Sequence, residues 1–269
     1  MSDFERLGGV IALEDCKREA KVSCPTHGES SGFQYRLTQG SEWLGPFCKA
    51  CEQESKQHLE RERTIIRERN ERQRNQARIE EIFDRSGIPE RFKTKDFKNY
   101  SPPTERAKKN LEICKNYAEN FVSDARKTGR SLIFCGNRGT GKNHLACAIA
   151  NHVIKHHGCT AMYTMLSHAL LRVKQTFSKD AQETQLAVIS SLAALDLLVL
   201  DEIDQRFDTP TEQLIIFELI NARYERVKPT ILLCNLDATG AKNFLGDRCF
   251  DRLKEGGGGV VVFDWESYR

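Results

Sequence analysis

With 269 residues the chain is long enough for one large domain or two unequal ones, and 39% hydrophobic with 29% charged residues fits a folded globular protein and excludes a disordered or fibrous one. The 41 Lys and Arg against 38 Asp and Glu leave a net charge of +3, a balance that names no partner. No apolar run approaches the ~18 residues needed to cross a bilayer. The N-terminus, MSDFERLGGVIALEDCKREA, also lacks the basic-then-apolar layout of a signal peptide, so a cytoplasmic protein with no membrane partner is expected.

The first 51 residues carry little periodicity but hold Cys16, Cys24, Cys48 and Cys51. Cys24-Pro25-Thr26-His27 and Cys48-Lys49-Ala50-Cys51 form a C-x2-H and a C-x2-C knuckle separated by 20 residues. That spacing fits a tetrahedral structural zinc site made by Cys24, His27, Cys48 and Cys51, with FQYRL and EWLGPF as a hairpin between the knuckles. Cys16 is the rival fourth ligand. So small a module has little core of its own, so bound metal would supply its folding energy. Phe33, Tyr35 and Trp43, with Arg36 and Lys49, have two readings: a base-stacking surface or the filling of that small core. The remaining cysteines (Cys114, Cys135, Cys147, Cys159, Cys234, Cys249) stand alone and read as reduced core thiols.

Residues 52–83 contain no Gly or Pro and are dominated by Glu, Arg and Gln, with i,i+4 pairs such as Glu52/Lys56, so a charged helix is expected. Leu59 and Ile66 are seven apart, but Gln73 and Glu80 occupy the next two such positions and no coiled-coil seam is sustained. The helix should stop at Ser86-Gly87-Ile88-Pro89. The expected organisation is a zinc-binding module over 1–51, a connecting helix over 52–86 and a nucleotide-binding domain over 87–269.

Beyond Ser131, short apolar runs alternate with helical patterns: 131–135, 160–165, 195–201, 230–235 and 260–263. Five such runs imply an α/β fold with a five-stranded parallel sheet. After the first of them comes Gly136-Asn137-Arg138-Gly139-Thr140-Gly141-Lys142-Asn143, with His144 opening the next helix. Glycines there let backbone N–H groups wrap a polyphosphate at a helix N-terminus, and Lys142 reaches the terminal phosphates. The pattern usually ends Lys-Ser/Thr, whose hydroxyl ligates Mg2+; here Asn143 stands in its place, and an amide oxygen can also ligate the ion. The run Leu197–Leu200 ends in Asp201 and Glu202, the first suited to hold Mg2+ and the second to orient an attacking water. Asn235 closes the fourth run, placed to touch the terminal phosphate or merely to cap the next turn. Arg248 and Arg252, at i,i+4, either project to a neighbouring subunit's nucleotide or belong to a solvated face. After the fifth run only six residues remain, too few for a helical lid.

From Phe83 onward the residues RSGIPERF, GNRGTGKNHLA, LLVLDEI, Asn235, LGDRCFDRL and FDWESYR resemble the AAA+ ATPases of the bacterial replicative-helicase loader type, the DnaC-like family. The resemblance implies a P-loop AAA+ core, ATP with Mg2+ as cofactors, ATP hydrolysis through Glu202, Asn235 as sensor 1, and Arg248 as the likelier arginine finger with Arg252 near it. It implies as partners a hexameric replicative helicase, single-stranded DNA and further copies of the chain in a helicase-bound ring or spiral. The N-terminal module plus its helix becomes the helicase-binding arm, and SHALLRVKQTFSKDAQ, with Arg172, Lys174 and Lys179, becomes either a DNA-contacting element or an amphipathic helix covering the sheet. The rival readings are a transposition-helper ATPase acting on duplex DNA, a P-loop small-molecule phosphotransferase, and a zinc DNA-binding adaptor with a vestigial P-loop.

Overall fold

The computed structural model describes residues 16–38, 40–204 and 209–267. Most of the segment read for a signal peptide, and the last two residues of FDWESYR, lie outside them. The chain forms two compact units, one reaching to Arg74 and the other starting at Asn75.

In the first unit, β1 (Lys17–Cys24), β2 (Gly28–Tyr35) and β3 (Leu44–Cys48) form an antiparallel sheet in that order. β2 and β3 cover the expected hairpin. β1 was not expected: apolar and polar residues alternate only over Ala20 to Cys24, and the charged run Lys17, Arg18, Glu19 before them gives no strand pattern. Phe33, Tyr35 and Phe47 stack on one another with ring centroids 5.1 to 6.3 Å apart, and Phe33 and Tyr35 are buried. Those two rings fill the small core and offer no stacking surface. Trp43 lies between the guanidinium groups of Arg18 and Arg36, 4.3 and 4.9 Å from its ring. The long helix α1 (Lys49–Asp84) follows, rich in good helix formers, laced by pairs such as Lys56–Glu52 at 2.6 Å and burying none of its residues. It ends as Ser86 turns back onto the Phe83 carbonyl and Gly87 takes a left-handed φ of +64°.

The second unit holds α2 (Glu105–Glu119), the single turn α3 (Ala125–Thr128), β4 (Leu132–Gly136), α4 (Lys142–His157), β5 (Ala161–Met165), α5 (Leu166–Gln175), α6 (Gln185–Ala194), β6 (Leu197–Asp201), α7 (Pro210–Glu225), β7 (Thr230–Leu233), α8 (Ala238–Lys254) and β8 (Gly259–Phe263). The five strands are parallel in the order β5-β6-β7-β4-β8, an α/β architecture of the class read from the sequence. Strand residues alternate between two apolar layers: Leu132, Phe134 and Val199 face α2 and α4, while Ile133, Cys135 and Leu200 face α5 to α8. The next strand after β4 in the chain is β5, at the far edge of the sheet, whereas β7 and β8 flank β4. Such a reversal opens a crevice at the carboxyl ends of the strands, where α/β sheets bind ligands. No helix among the described residues is long and apolar enough to cross a membrane.

Candidate functional site

At that crevice lies a cavity of about 620 Å³, lined by the loop after β4 and by Lys142, Asn143, Asp201, Glu202 and Asn235. The sequence-predicted set therefore converges on one place, as three different strand ends require. The loop is shaped by contacts that leave no room for side chains. A Cβ on Gly136, whose φ is +125°, would sit 2.1 Å from the Phe263 carbonyl oxygen, and one on Gly139 would sit 2.1 Å from Ser267 Oγ. Asn137 is pinned to the same segment, its N–H donating to the Phe263 carbonyl at 2.8 Å and its amide to the Trp265 carbonyl at 3.1 Å. Thr140 is buried and donates to the Asn137 carbonyl at 2.7 Å, while Arg138 stands exposed on the rim.

Gly141, at φ +94°, starts α4 and points the helix N-terminus at the cavity. Lys142 is 5% exposed and donates to the Gly136 and Asn137 carbonyls at 2.7 and 2.6 Å. Burial lowers this ammonium below the ordinary lysine range, against the opposing pull of Cys234, Asp201 and Asp204. Asn143 donates through Nδ2 to Asp201 Oδ2 and, at 2.9 Å, to the Tyr163 hydroxyl. His144 meets the Asp96 carbonyl at 3.0 Å and packs edge-on against Tyr100 at 5.1 Å; burial depresses its pKa and favours the neutral ring.

Asp201 ends β6 and is buried, with Oδ1 accepting the Glu202 N–H at 2.8 Å. Glu202 adopts φ +52°, a left-handed conformation that few non-glycine residues take and that cavities of this kind concentrate. Asn235 donates from its backbone and its amide to the Asp204 carboxylate, at 3.2 Å in each case to the nearer oxygen. A dication between phosphate oxygens and the Asp201–Asn143 pair would meet oxygen donors, the set that Mg2+ selects.

Sequence reasoning missed several residues. Tyr163 carries no motif and reaches the site only through strand order, whereas Asp204 follows Glu202 by two residues and meets Asn235 beyond the neighbouring strand. Arg91, Phe92, Asn99 and Tyr100 line the other side of the cavity, brought there by the irregular segment between α1 and α2. RSGIPERF contains two of them, but nothing in its composition marks them as lining residues.

Arg248 and Arg252 do not line this cavity. Arg248 is exposed on α8 after Gly246, where the helix breaks. Arg252 lies over the rings of Phe217 and Tyr224, at 4.8 and 5.5 Å, and borders a separate cavity beside Thr128 and Ser131, near the start of β4. Arg172 pairs with Glu183 at 2.7 Å and Lys174 with Glu212, while Leu166, Ala169, Leu170 and Val173 are buried, so α5 is built as an amphipathic cover; Lys179 is exposed beyond it.

In the first unit Cys24, His27, Cys48 and Cys51 bring their ligand atoms within 4.8 Å of one another, the one such cluster among the described residues; Cys16 is not part of it. Sγ of Cys24, Cys48 and Cys51 lie 3.6, 3.7 and 3.3 Å from His27 Nδ1, and Cys24 lies 3.4 Å from Cys51. Four ligands around a tetrahedral zinc are about 3.5 to 3.8 Å apart, so three thiols and one imidazole at these separations fit that ion. Backbone N–H groups of His27 and then Thr26 hold the Cys24 thiol down at about 6, whereas its contact with Cys24 pushes Cys51 up to about 12. A second thiolate beside the first is unfavourable unless a cation lies between them. His27 Nε2 meets Glu54 Oε1 at 3.0 Å, the outer contact that orients a ligating imidazole. Glu54 was not singled out in the sequence, since nothing in the knuckle spacing marks it.

A model of the family described as IstB-like ATP binding protein matches residues 47–269. The replicative helicase loader DnaC of Buchnera aphidicola subsp. Schizaphis graminum is 35% identical over 198 residues, covering 74% of this chain and 78% of that protein. DnaC of Escherichia coli K12 is 31% identical over 199 residues, covering 74% and 79%. Among solved structures, that of the DnaC helicase loader superposes with a TM-score of 0.57 at 20% identity, covering 65% of this chain and 100% of the other. AMPPCP-bound DnaA from Aquifex aeolicus gives a TM-score of 0.54 at 21% identity, covering 66% and 52%. Both share the α/β fold described above.

Proposed function

Since the chain belongs to the IstB/DnaC-like family of ATP-binding proteins, we propose that it is an ATP-hydrolysing loader that binds a hexameric replicative helicase and helps place it on single-stranded DNA. The observation that supports this reading most is the meeting of Lys142, Asp201, Glu202 and Asn235 in one cavity at the carboxyl ends of three parallel strands. There the loop from Gly136 to Gly141 holds the phosphates with backbone N–H groups, and Lys142 exchanges its two carbonyl partners for phosphate oxygens. Asp201 and Asn143 would hold Mg2+, which would supply charge neutralisation at the phosphates. Glu202 orients the attacking water and takes its proton, and Asn235 reports the terminal phosphate to α8. Arg248, exposed after the break at Gly246, reaches the nucleotide of a neighbouring copy. Zinc in the Cys/His cluster holds β1, β2 and β3 together, and that module with α1 forms the arm that grips the helicase.

The test is co-elution of the full-length, zinc-loaded protein with the replicative helicase of its host, with and without ATP and single-stranded DNA. A stoichiometric complex is expected. ATP binding without a complex, combined with a preference for duplex DNA and filament formation, would point instead to a transposition helper. Within the site, Glu202→Gln should bind ATP and fail to turn it over; full hydrolysis by that variant would remove Glu202 from the mechanism.

A further inference from the structure

Tyr163 is the third residue of β5, paired in register with Val199 of β6 and 5% exposed. No nucleotide-binding motif includes it, yet its hydroxyl donates to Asp201 Oδ2 and accepts from Asn143 Nδ2 at 2.9 Å. The same Asn143 nitrogen also donates to that Asp201 oxygen, so the two acceptors lie side by side before it. Asp201 Oδ1 is held separately by the Glu202 N–H.

The chemistry of the three groups settles the orientation of the amide. A carboxylate only accepts, so the nitrogen end of Asn143 must face Asp201. With the nitrogen end held there, the oxygen end is turned away from Asp201. This matters because Asn occupies the position where phosphate-binding loops commonly carry Ser or Thr. A hydroxyl rotates to suit its neighbours, donating on one side and presenting lone pairs on the other. An amide has two ends of opposite polarity, and the wrong end would present N–H groups to a cation. A phenol titrates at about 10 in water, so Tyr163 is a protonated donor in the neutral range.

We propose that Tyr163 is a positioning residue of the nucleotide site, fixing the Asp201 carboxylate and turning the Asn143 amide so that its oxygen faces the nucleotide-bound divalent cation. The inference rests on the reading of this cavity as a Mg-ATP site, and it assigns to β5 a part in cation binding that the phosphate loop and the acidic strand end do not supply alone.

The experiment is calorimetric titration of the full-length protein with ATP, in Mg2+-free buffer without chelator and over a MgCl2 series. In Tyr163→Phe, which removes one oxygen and keeps the ring, the gain in ATP affinity on adding Mg2+ should fall about tenfold, the size of one lost charge-assisted hydrogen bond. Affinity without Mg2+ should move less than twofold. Asn143→Thr supplies a hydroxyl that needs no orienting, so in that background Tyr163→Phe should cost clearly less than tenfold, only the hold on Asp201 remaining to be lost, a non-additivity that a packing role would not produce. A Tyr163→Phe variant with the full Mg2+ gain, or with equal losses in both media, overturns the role of Tyr163 alone. A parent protein that binds ATP without any Mg2+ gain overturns Asp201 and Asn143 as cation ligands. A parent that binds no ATP overturns the reading of the cavity itself, and both failures carry the Tyr163 proposal with them.

Discussion

Behind the nucleotide cavity stand two apolar layers, one on each face of a five-stranded sheet, and the loop that shapes the site is pinned to β8 and the residues after it. Around the Cys/His cluster, the buried apolar residues of the first unit are, among the described residues, Phe33 and Tyr35 together with Cys16, Cys24 and Cys48, two of which belong to the cluster itself. The first site is presented by a scaffold that exists without its ligand; the second has scarcely any scaffold apart from its ligands. Loss of the bound group should therefore unfold one region and leave the other standing.

The largest effect is expected from metal removal. Chelation of the zinc-loaded protein should make residues of the three-stranded sheet open to protease and to hydrogen exchange, because metal binding supplies on the order of 10 kcal/mol in such small modules. Unfolding of the second unit, followed by its thermal midpoint without nucleotide, should be unchanged. Cys51→Ser should behave like chelation. A first unit equally protected with and without metal would show that Phe33, Tyr35 and Phe47 suffice as a core.

The converse perturbation empties the other site while leaving its scaffold in place. Lys142→Ala should lower ATP affinity on the order of 100-fold, from the loss of charge-assisted contacts to two phosphate groups. The thermal midpoint without nucleotide should shift by only a few degrees, since α4 keeps its apolar face and Lys142 is already held below its ordinary range by burial. Unfolding of the second unit in this variant would mean that the Lys142 contacts to the Gly136 and Asn137 carbonyls brace the loop as much as they serve the ligand.

The two regions were also unequally legible from sequence. The phosphate loop, the acidic strand end and the two knuckles are contiguous, and each states its chemistry within eight residues. The inner strands β4, β6 and β7 could be read because both of their faces are buried, which leaves unbroken apolar runs. β1 could not, because one short sheet with polar residues on its outer positions has no such signature. Tyr163, Asp204 and Tyr100 were out of reach for a different reason: each meets the site across strand order or chain reversal, and nothing local to a tyrosine in AMYTM says that it will touch the end of LLVLD. The six lone cysteines read as core thiols are all buried, though Cys135 and Cys234 approach to 3.5 Å on neighbouring strands, which their spacing did not announce.

The smallest effect concerns the scaffold alone. Thr209 and Glu212 form a capping box at the start of α7, and Glu212 is also paired with Lys174 of α5, which is 41% exposed. Lys174, and then the Thr209 contacts, hold the Glu212 carboxyl below the usual carboxylate range. A carboxyl lowered in the folded state contributes stability that is fully present above the unfolded value, near 4.3, and is lost as pH falls through the folded value. Glu212→Gln keeps a capping side chain and removes the charge, so with Lys174 partly solvated it should cost about 0.5 to 1 kcal/mol at pH 7 in urea unfolding of the second unit. The same comparison repeated toward pH 3 should show the two proteins converging. A difference that persists unchanged at low pH would mean that the hydrogen-bond geometry of the cap, and not the Lys174 pairing, ties α5 to α7.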